Sequence, residues 1–167
     1  EIKLEIDNQS KDSLTISVIN LNYDNEKKAK IKLICLLIVF YVIYKSFFVV
    51  KYFIEGIFIL ILLLIVYQTF SLIKKDTVKF ICEFGVQMST EYFLNHKRKF
   101  FLPANSIQDV VINEVVYHLR VSYILIIRTK DEFYKSKPII PLFTSLMPKV
   151  SCLEVIYREL RNKMDIS

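Results

Sequence analysis

Two apolar segments stand back to back in this chain of 167 residues, Ile31–Val50 and Gly56–Ile73, joined only by Lys51–Glu55. A helix rises about 1.5 Å per residue, so each segment reaches on the order of 30 Å, roughly the hydrocarbon thickness of a bilayer. So short a connection allows only a tight turn. The pattern predicts a transmembrane helical hairpin with both chain ends on one side of the membrane.

Charge sets the expected orientation. Lys27, Lys28, Lys30 and Lys32 precede the first segment, and Lys74, Lys75 and Lys79 follow the second. The turn offers Lys51, offset by Glu55, with Lys45 nearby. Flanking Lys and Arg stay on the cytosolic side, which places both termini in the cytosol. Lys45 lies close enough to the turn for its stem to reach the interface. A second span of about 18 residues suits a thin membrane such as the endoplasmic reticulum. Residues 1–30 are polar, and the first apolar run is too long for the core of a signal peptide.

The hairpin accounts for a hydrophobic fraction of 53%, and two Gly and four Pro leave no long flexible linker. The formal charge of +6 suits anionic lipid headgroups better than a nucleic acid. Cys35, Cys82 and Cys152 are far apart and odd in number, so they read as small hydrophobes in a reducing compartment. No metal or other cofactor is expected.

Strict alternation in Ile2–Ile6 and Leu14–Val18, around Asp7–Ser10, predicts a small β-hairpin in an N-terminal segment of residues 1–30. The helical hairpin then occupies 31–73, and a cytosolic domain 74–167. In that domain the period is again two. Strands are expected over Thr77–Phe84, Val86–Phe93, Phe100–Leu102, Ile107–Val116 and Val121–Thr129. A basic turn is expected at Asn95–Lys99, a charged loop at Asp131–Lys137 and a short edge strand at Ile139–Phe143. Leu153, Ile156, Tyr157, Leu160 and Met164 then fall at helical spacing, behind a Ser151/Glu154 pair spaced as a capping box. The fold class expected is an α+β membrane protein. It pairs a transmembrane helical hairpin with a small antiparallel β domain, a pleckstrin-homology-like (PH-like) barrel or sandwich, closed by a C-terminal amphipathic helix.

Catalytic signals are weak. Only Gly56 and Gly85 occur, so a glycine-rich phosphate loop is excluded. His96 and His118 lack a partner acid at useful spacing. Glu83 and Glu91 match an E-x7-E pattern of retaining glycosyltransferases, but they bracket a turn between short strands in a domain far too small for a nucleotide-sugar fold. Asp109, Asn113 and Glu114 cluster in Asp109-Val110-Val111-Ile112-Asn113-Glu114. On a strand Asp109 and Glu114 point to opposite faces, Asn113 shares a face with Asp109, and Val110 and Ile112 face the core. Docking fits better than acid–base work.

Gly85-Val86-Gln87-Met88, Phe101-Leu102-Pro103 and Ile107-Gln108-Asp109-Val110-Val111-Ile112-Asn113-Glu114 together resemble the PIG-H family. Pro148–Leu153 and Ile156-Tyr157-Arg158 resemble its ending, and the resemblance runs from Ile31 to Lys163. It implies a subunit of the complex that transfers N-acetylglucosamine from UDP-GlcNAc to phosphatidylinositol. That transfer is the first step of glycosylphosphatidylinositol (GPI) anchor synthesis, on the cytosolic face of the endoplasmic reticulum. It implies a subunit that is not itself the enzyme, with a PIG-A-like catalytic subunit and other membrane subunits as partners. Gly85, Gln87, Asp109, Asn113 and Glu114 are then the candidate docking or shape-determining residues. Two alternatives remain: a lipid-binding module with Lys97, Arg98 and Lys99 on an anionic headgroup, or an enzyme in its own right using Glu83 or Glu91.

Overall fold

A computed structural model describes residues 2–10, 13–47, 52–117, 120–130 and 138–165. Among these residues eight strands and three α-helices follow in the order β1 (Ile2–Ser10), β2 (Ser13–Asn20), α1 (Tyr23–Phe47), α2 (Tyr52–Phe70), β3 (Ile73–Ile81), β4 (Gly85–Tyr92), β5 (Lys97–Pro103), β6 (Ile107–Tyr117), β7 (Arg120–Thr129), β8 (Ile139–Leu142) and α3 (Val150–Asp165). They form a five-stranded sheet, β1-β2-β3-β4-β5, and a three-stranded sheet, β6-β7-β8. Every pairing is antiparallel.

The strand pattern expresses itself as register. Leu14, Ile16 and Val18 alternate inward on β2 and meet Phe80, Val78 and Asp76 of β3. Val86 of β4 and Leu102 of β5 extend the same apolar row. The second sheet contributes Val110, Leu125, Ile127, Ile140 and Leu142 to this core. Helix α3 packs against β6, β7 and β2 and completes it with Leu153, Ile156 and Leu160, each at most 2% exposed. Of the apolar stripe read from the sequence, Leu153, Ile156 and Leu160 are therefore buried and Tyr157 is half-buried, while the Met164 side chain lies outside what is described. Its start differs from expectation. The Lys149 carbonyl accepts from the Cys152 and Leu153 amides, so Ser151 and Glu154 lie inside the first turns and do not form a capping box.

The five-stranded sheet is interrupted in sequence but not in space. Helices α1 and α2 are inserted between β2 and β3, which pair from Ser13↔Ile81 to Ile19↔Lys75. The helix pair thus leaves and re-enters the sheet through two neighbouring strands. Asn20 fixes both sides of this base: its Oδ1 accepts from the Asn22 amide, and its Nδ2 donates to the Ile73 carbonyl at 3.4 Å. Lys30 Nζ donates to the Gln68 carbonyl at 2.9 Å, tying α1 to the end of α2. Tyr41 stacks on Phe58 at 4.4 Å between ring centroids, and Lys45 pairs with Glu55 at 3.7 Å.

The apolar segments are helical, as their composition requires, but the transmembrane hairpin is not upheld. Among the described residues no helix is long and apolar enough to cross a membrane. In α1 the run free of charge lies between Lys32 and Lys45, and in α2 the apolar run lies between Glu55 and Gln68. Each holds about a dozen residues, roughly 18 Å of helix, against about 30 Å of hydrocarbon. The fold class is corrected accordingly to α+β with two antiparallel sheets, and the charge bias of the flanks no longer fixes an orientation. Lys45 is held by Glu55 and by the Tyr41 ring, 5.8 Å from its centroid. The connection between the helices, the loop at Asp131–Lys137 and His118 lie outside the described residues.

Candidate functional site

Gly85 opens β4 after a tight turn in which the Phe84 amide bonds to the Ile81 carbonyl and Glu83 takes φ 66°. Its own φ is +137°, and a Cβ there would stand 2.1 Å from the Leu102 carbonyl oxygen. Only glycine permits this approach of β4 to the end of β5. Gly85 is buried, so it shapes the site and offers no contact surface. Gln87, opposite Lys79 and Phe101, is half-buried on the outer face of the same sheet.

Asp109, Asn113 and Glu114 belong to the other sheet. Along β6 Val110 is buried and Ile112 packs against the core, while Asn113 and Glu114 are exposed. Asp109 sits just past an irregularity in the register, directly opposite Arg128 of β7. Arg128 grips it with two bonds, Nε to Oδ1 at 2.6 Å and Nη2 to Oδ2. The guanidinium holds the Asp109 carboxyl below the usual carboxylate range. Glu114 faces Tyr123 across the ladder and accepts from its hydroxyl, which pushes the phenol up. The five candidate residues are thus split, two on β4 and three on β6.

Glu83 precedes β4 in the turn, and Glu91 lies near the far end of the strand. At about 3.3 Å per residue they are on the order of 20 Å apart, too far to act on one substrate atom. Glu91 is held instead by Lys97 at 3.4 Å. Asp76 is the buried carboxyl of the sheet, 6% exposed, and accepts from the Thr90 hydroxyl at 3.0 Å. Burial pushes its pKa up against that bond. Among the described residues no group of His, Cys, Asp and Glu could hold a metal ion. Cys35, Cys82 and Cys152 are free, with Cys35 exposed on α1 and the others half-buried.

The basic cluster is not a turn. Lys97, Arg98 and Lys99 open β5, opposite Glu91, Thr90 and Ser89. The turn before it is short and carries Leu94 and Asn95 at φ 58° and 59°. Lys97 spends its charge on Glu91, whereas Arg98 and Lys99 reach the rim of a cavity of about 530 Å³ between β4, β5 and β8. Sequence reasoning missed this cavity, because β8 and the residues after it come from the far end of the chain.

The family model of the PIG-H component of the GPI-GlcNAc transferase complex matches residues 77–144, from β3 through β8. A human protein, named as the H subunit of phosphatidylinositol N-acetylglucosaminyltransferase, is 35% identical over 105 residues, covering 62% of this chain and 56% of that protein. The bovine protein of that name matches to the same extent, and the mouse one is 33% identical over 104 residues. The chain therefore spans little more than half the length of the curated relatives it matches. No solved structure matches it. The family match leaves out β1, β2, the helix pair and α3, a shorter stretch than the resemblance from Ile31 to Lys163. Residues 77–144, which hold the glycine turn, β6 and the Asp109–Arg128 pair, are thus the part of this chain that is similar to the PIG-H family.

Proposed function

We propose that this chain is a non-catalytic subunit of the GPI-GlcNAc transferase complex, which makes the first intermediate of GPI-anchor biosynthesis. The observation that carries the proposal is the PIG-H match over 77–144, together with relatives named for a subunit of that transferase. The reaction is transfer of N-acetylglucosamine from UDP-GlcNAc to phosphatidylinositol at the endoplasmic reticulum. The wide separation of Glu83 and Glu91 favours a partner, a PIG-A-like glycosyltransferase, as the bearer of the chemistry.

The role of the chain is positional. Asn113 and Glu114, on opposite faces of β6, and Gln87 on β4 of the other sheet are its docking contacts, with Gly85 shaping the start of β4 and the Asp109–Arg128 pair holding β6 to β7. The helix pair supports the same account through its exterior. Leu36, Val39 and Phe40 of α1, and Leu60, Leu63 and Leu64 of α2, are each 54–61% exposed. Apolar exposure of this extent needs a cover, and other subunits of the complex supply it.

Affinity purification of the tagged full chain from detergent-solubilised membranes tests the proposal. A glycosyltransferase should be recovered with it, along with UDP-GlcNAc-dependent labelling of phosphatidylinositol. Recovery of the chain alone, without that activity, refutes it.

A further inference from the structure

We propose that the open seam between β5 and β8 binds a phosphate-bearing amphiphile, with Arg98 on the anionic group and Met88, Phe100 and Ile140 around the apolar part. The two sheets end here without joining. Strand β5 is the last of the five-stranded sheet, and β8 the last of the three-stranded one. Between them lies the cavity of about 530 Å³, within the roughly 300–1,000 Å³ of small-molecule sites.

Its chemistry is graded. Met88, Phe100 and Ile140 line it together with Ile139 and Pro141, while Thr144 and Ser145 stand exposed at its rim. On β5 alternate residues share a face, so Arg98 lies in line with Phe100 and the buried Leu102. Its guanidinium therefore belongs to the cavity side of the strand. Among the described residues, no carboxylate pairs with Arg98 or Lys99, whereas their neighbour Lys97 is already taken by Glu91.

The edge adds backbone donors. The Tyr92 amide bonds to the His96 carbonyl, and the Ala104 amide to the Phe84 carbonyl. Antiparallel ladders alternate, so Arg98 and Phe100 direct their backbone groups to β4, and Lys99 directs its N–H outward to the seam. An unpaired cationic fork beside an outward amide suits a phosphate oxygen pair, and Met88, Phe100 and Ile140, set among the polar Thr90 and Tyr92, suit the apolar part of an amphiphile. A membrane phospholipid and a soluble organic phosphate share this chemistry. The apolar floor assigns the site to the lipid. This assignment stands on the cavity alone and is independent of the proposed role in the transferase complex.

Calorimetric titration of the full chain tests it, with short-chain dihexanoyl phosphatidylglycerol below its micelle concentration. Dihexanoyl phosphatidylcholine and inorganic phosphate serve as comparisons. Saturable binding of the anionic lipid is expected, with both comparisons weaker by about tenfold or more. Arg98→Gln should lower its affinity about tenfold, as loss of one charge-assisted bond does. Arg98 is exposed on an edge strand, so a preserved thermal melt will show that the variant folds. Thr144→Trp, at an exposed rim position, should block binding independently. Undetectable binding of the anionic lipid, equal binding by Arg98→Gln, or equal affinity for phosphatidylcholine overturns the proposal. Inorganic phosphate bound as tightly as the lipid overturns the amphiphile.

Discussion

Asp109 and Arg128 face each other across β6 and β7 with both carboxylate oxygens held by one guanidinium. The pair closes the most specific stretch of the PIG-H resemblance onto its neighbouring strand. Its side chains are 36% and 48% exposed, so solvent screens much of the attraction.

Asp109→Asn should cost less than about 1 kcal/mol at neutral pH. The pH dependence has a definite sign. A carboxyl whose folded pKa is lowered stabilises above its unfolded pKa of about 3.9, and loses that contribution as pH falls through the lower folded value. Thermal melts of wild type and Asp109→Asn should differ at pH 7 and converge in acid. A gap that widens as pH falls would contradict the pairing.

Asp76 has the opposite sign. Burial raises its pKa, so it favours folding while protonated, below the unfolded pKa of about 3.9, and this contribution is lost as pH rises through the folded value. Asp76→Asn keeps an acceptor for Thr90 and removes the charge. It should melt higher than wild type at pH 7, with the difference shrinking toward pH 3. A lower melting temperature at pH 7 would show that the carboxylate is stabilised by more than its bonds from the Thr90 hydroxyl and the Thr77 backbone.

Gly85→Ala should destabilise the domain by on the order of 3 kcal/mol, because the new Cβ meets the Leu102 carbonyl at a backbone conformation that L residues avoid. Denaturant unfolding reads this directly. An unchanged midpoint would mean that β4 does not approach β5 as described.

Leu160→Ala should cost about 2–5 kcal/mol, whereas Val155→Ala, on the exposed side of α3, should stay within about 0.5 kcal/mol. Equal losses at the two positions would show that α3 is not docked by its Leu153, Ile156 and Leu160 face.

Much of the β structure is legible because period-two alternation survives wherever one face is buried, as in Leu14–Val18 and Thr77–Phe80. The stripe of α3 is legible for the same reason at helical period. Its start is not: Ser151 and Glu154 have the spacing of a capping box, but Lys149 supplies the first carbonyl. Hydropathy identifies two helices correctly and overstates their reach, since counting from Ile31 ignores Lys32 and counting to Ile73 runs past the end of α2 at Phe70 to the first residue of β3. Charge at Lys97–Lys99 suggests a turn because it outweighs their alternation, although an edge strand tolerates charge well. The pairing of β2 with β3 across the helix pair, and the seam between β5 and β8, are long-range facts that local pattern does not encode. The hindrance at Gly85 is of the same kind, since its cause is the Leu102 carbonyl.

The most direct measurement is UDP-GlcNAc-dependent labelling of phosphatidylinositol by membranes depleted of this chain. Labelling should be lost on depletion. It should return with wild-type chain and equally with a Glu83→Gln, Glu91→Gln double variant, as the proposed non-catalytic, positioning role requires. Full labelling without the chain would contradict a role in the complex, and failure of a folded, complex-bound double variant to restore it would contradict a non-catalytic one.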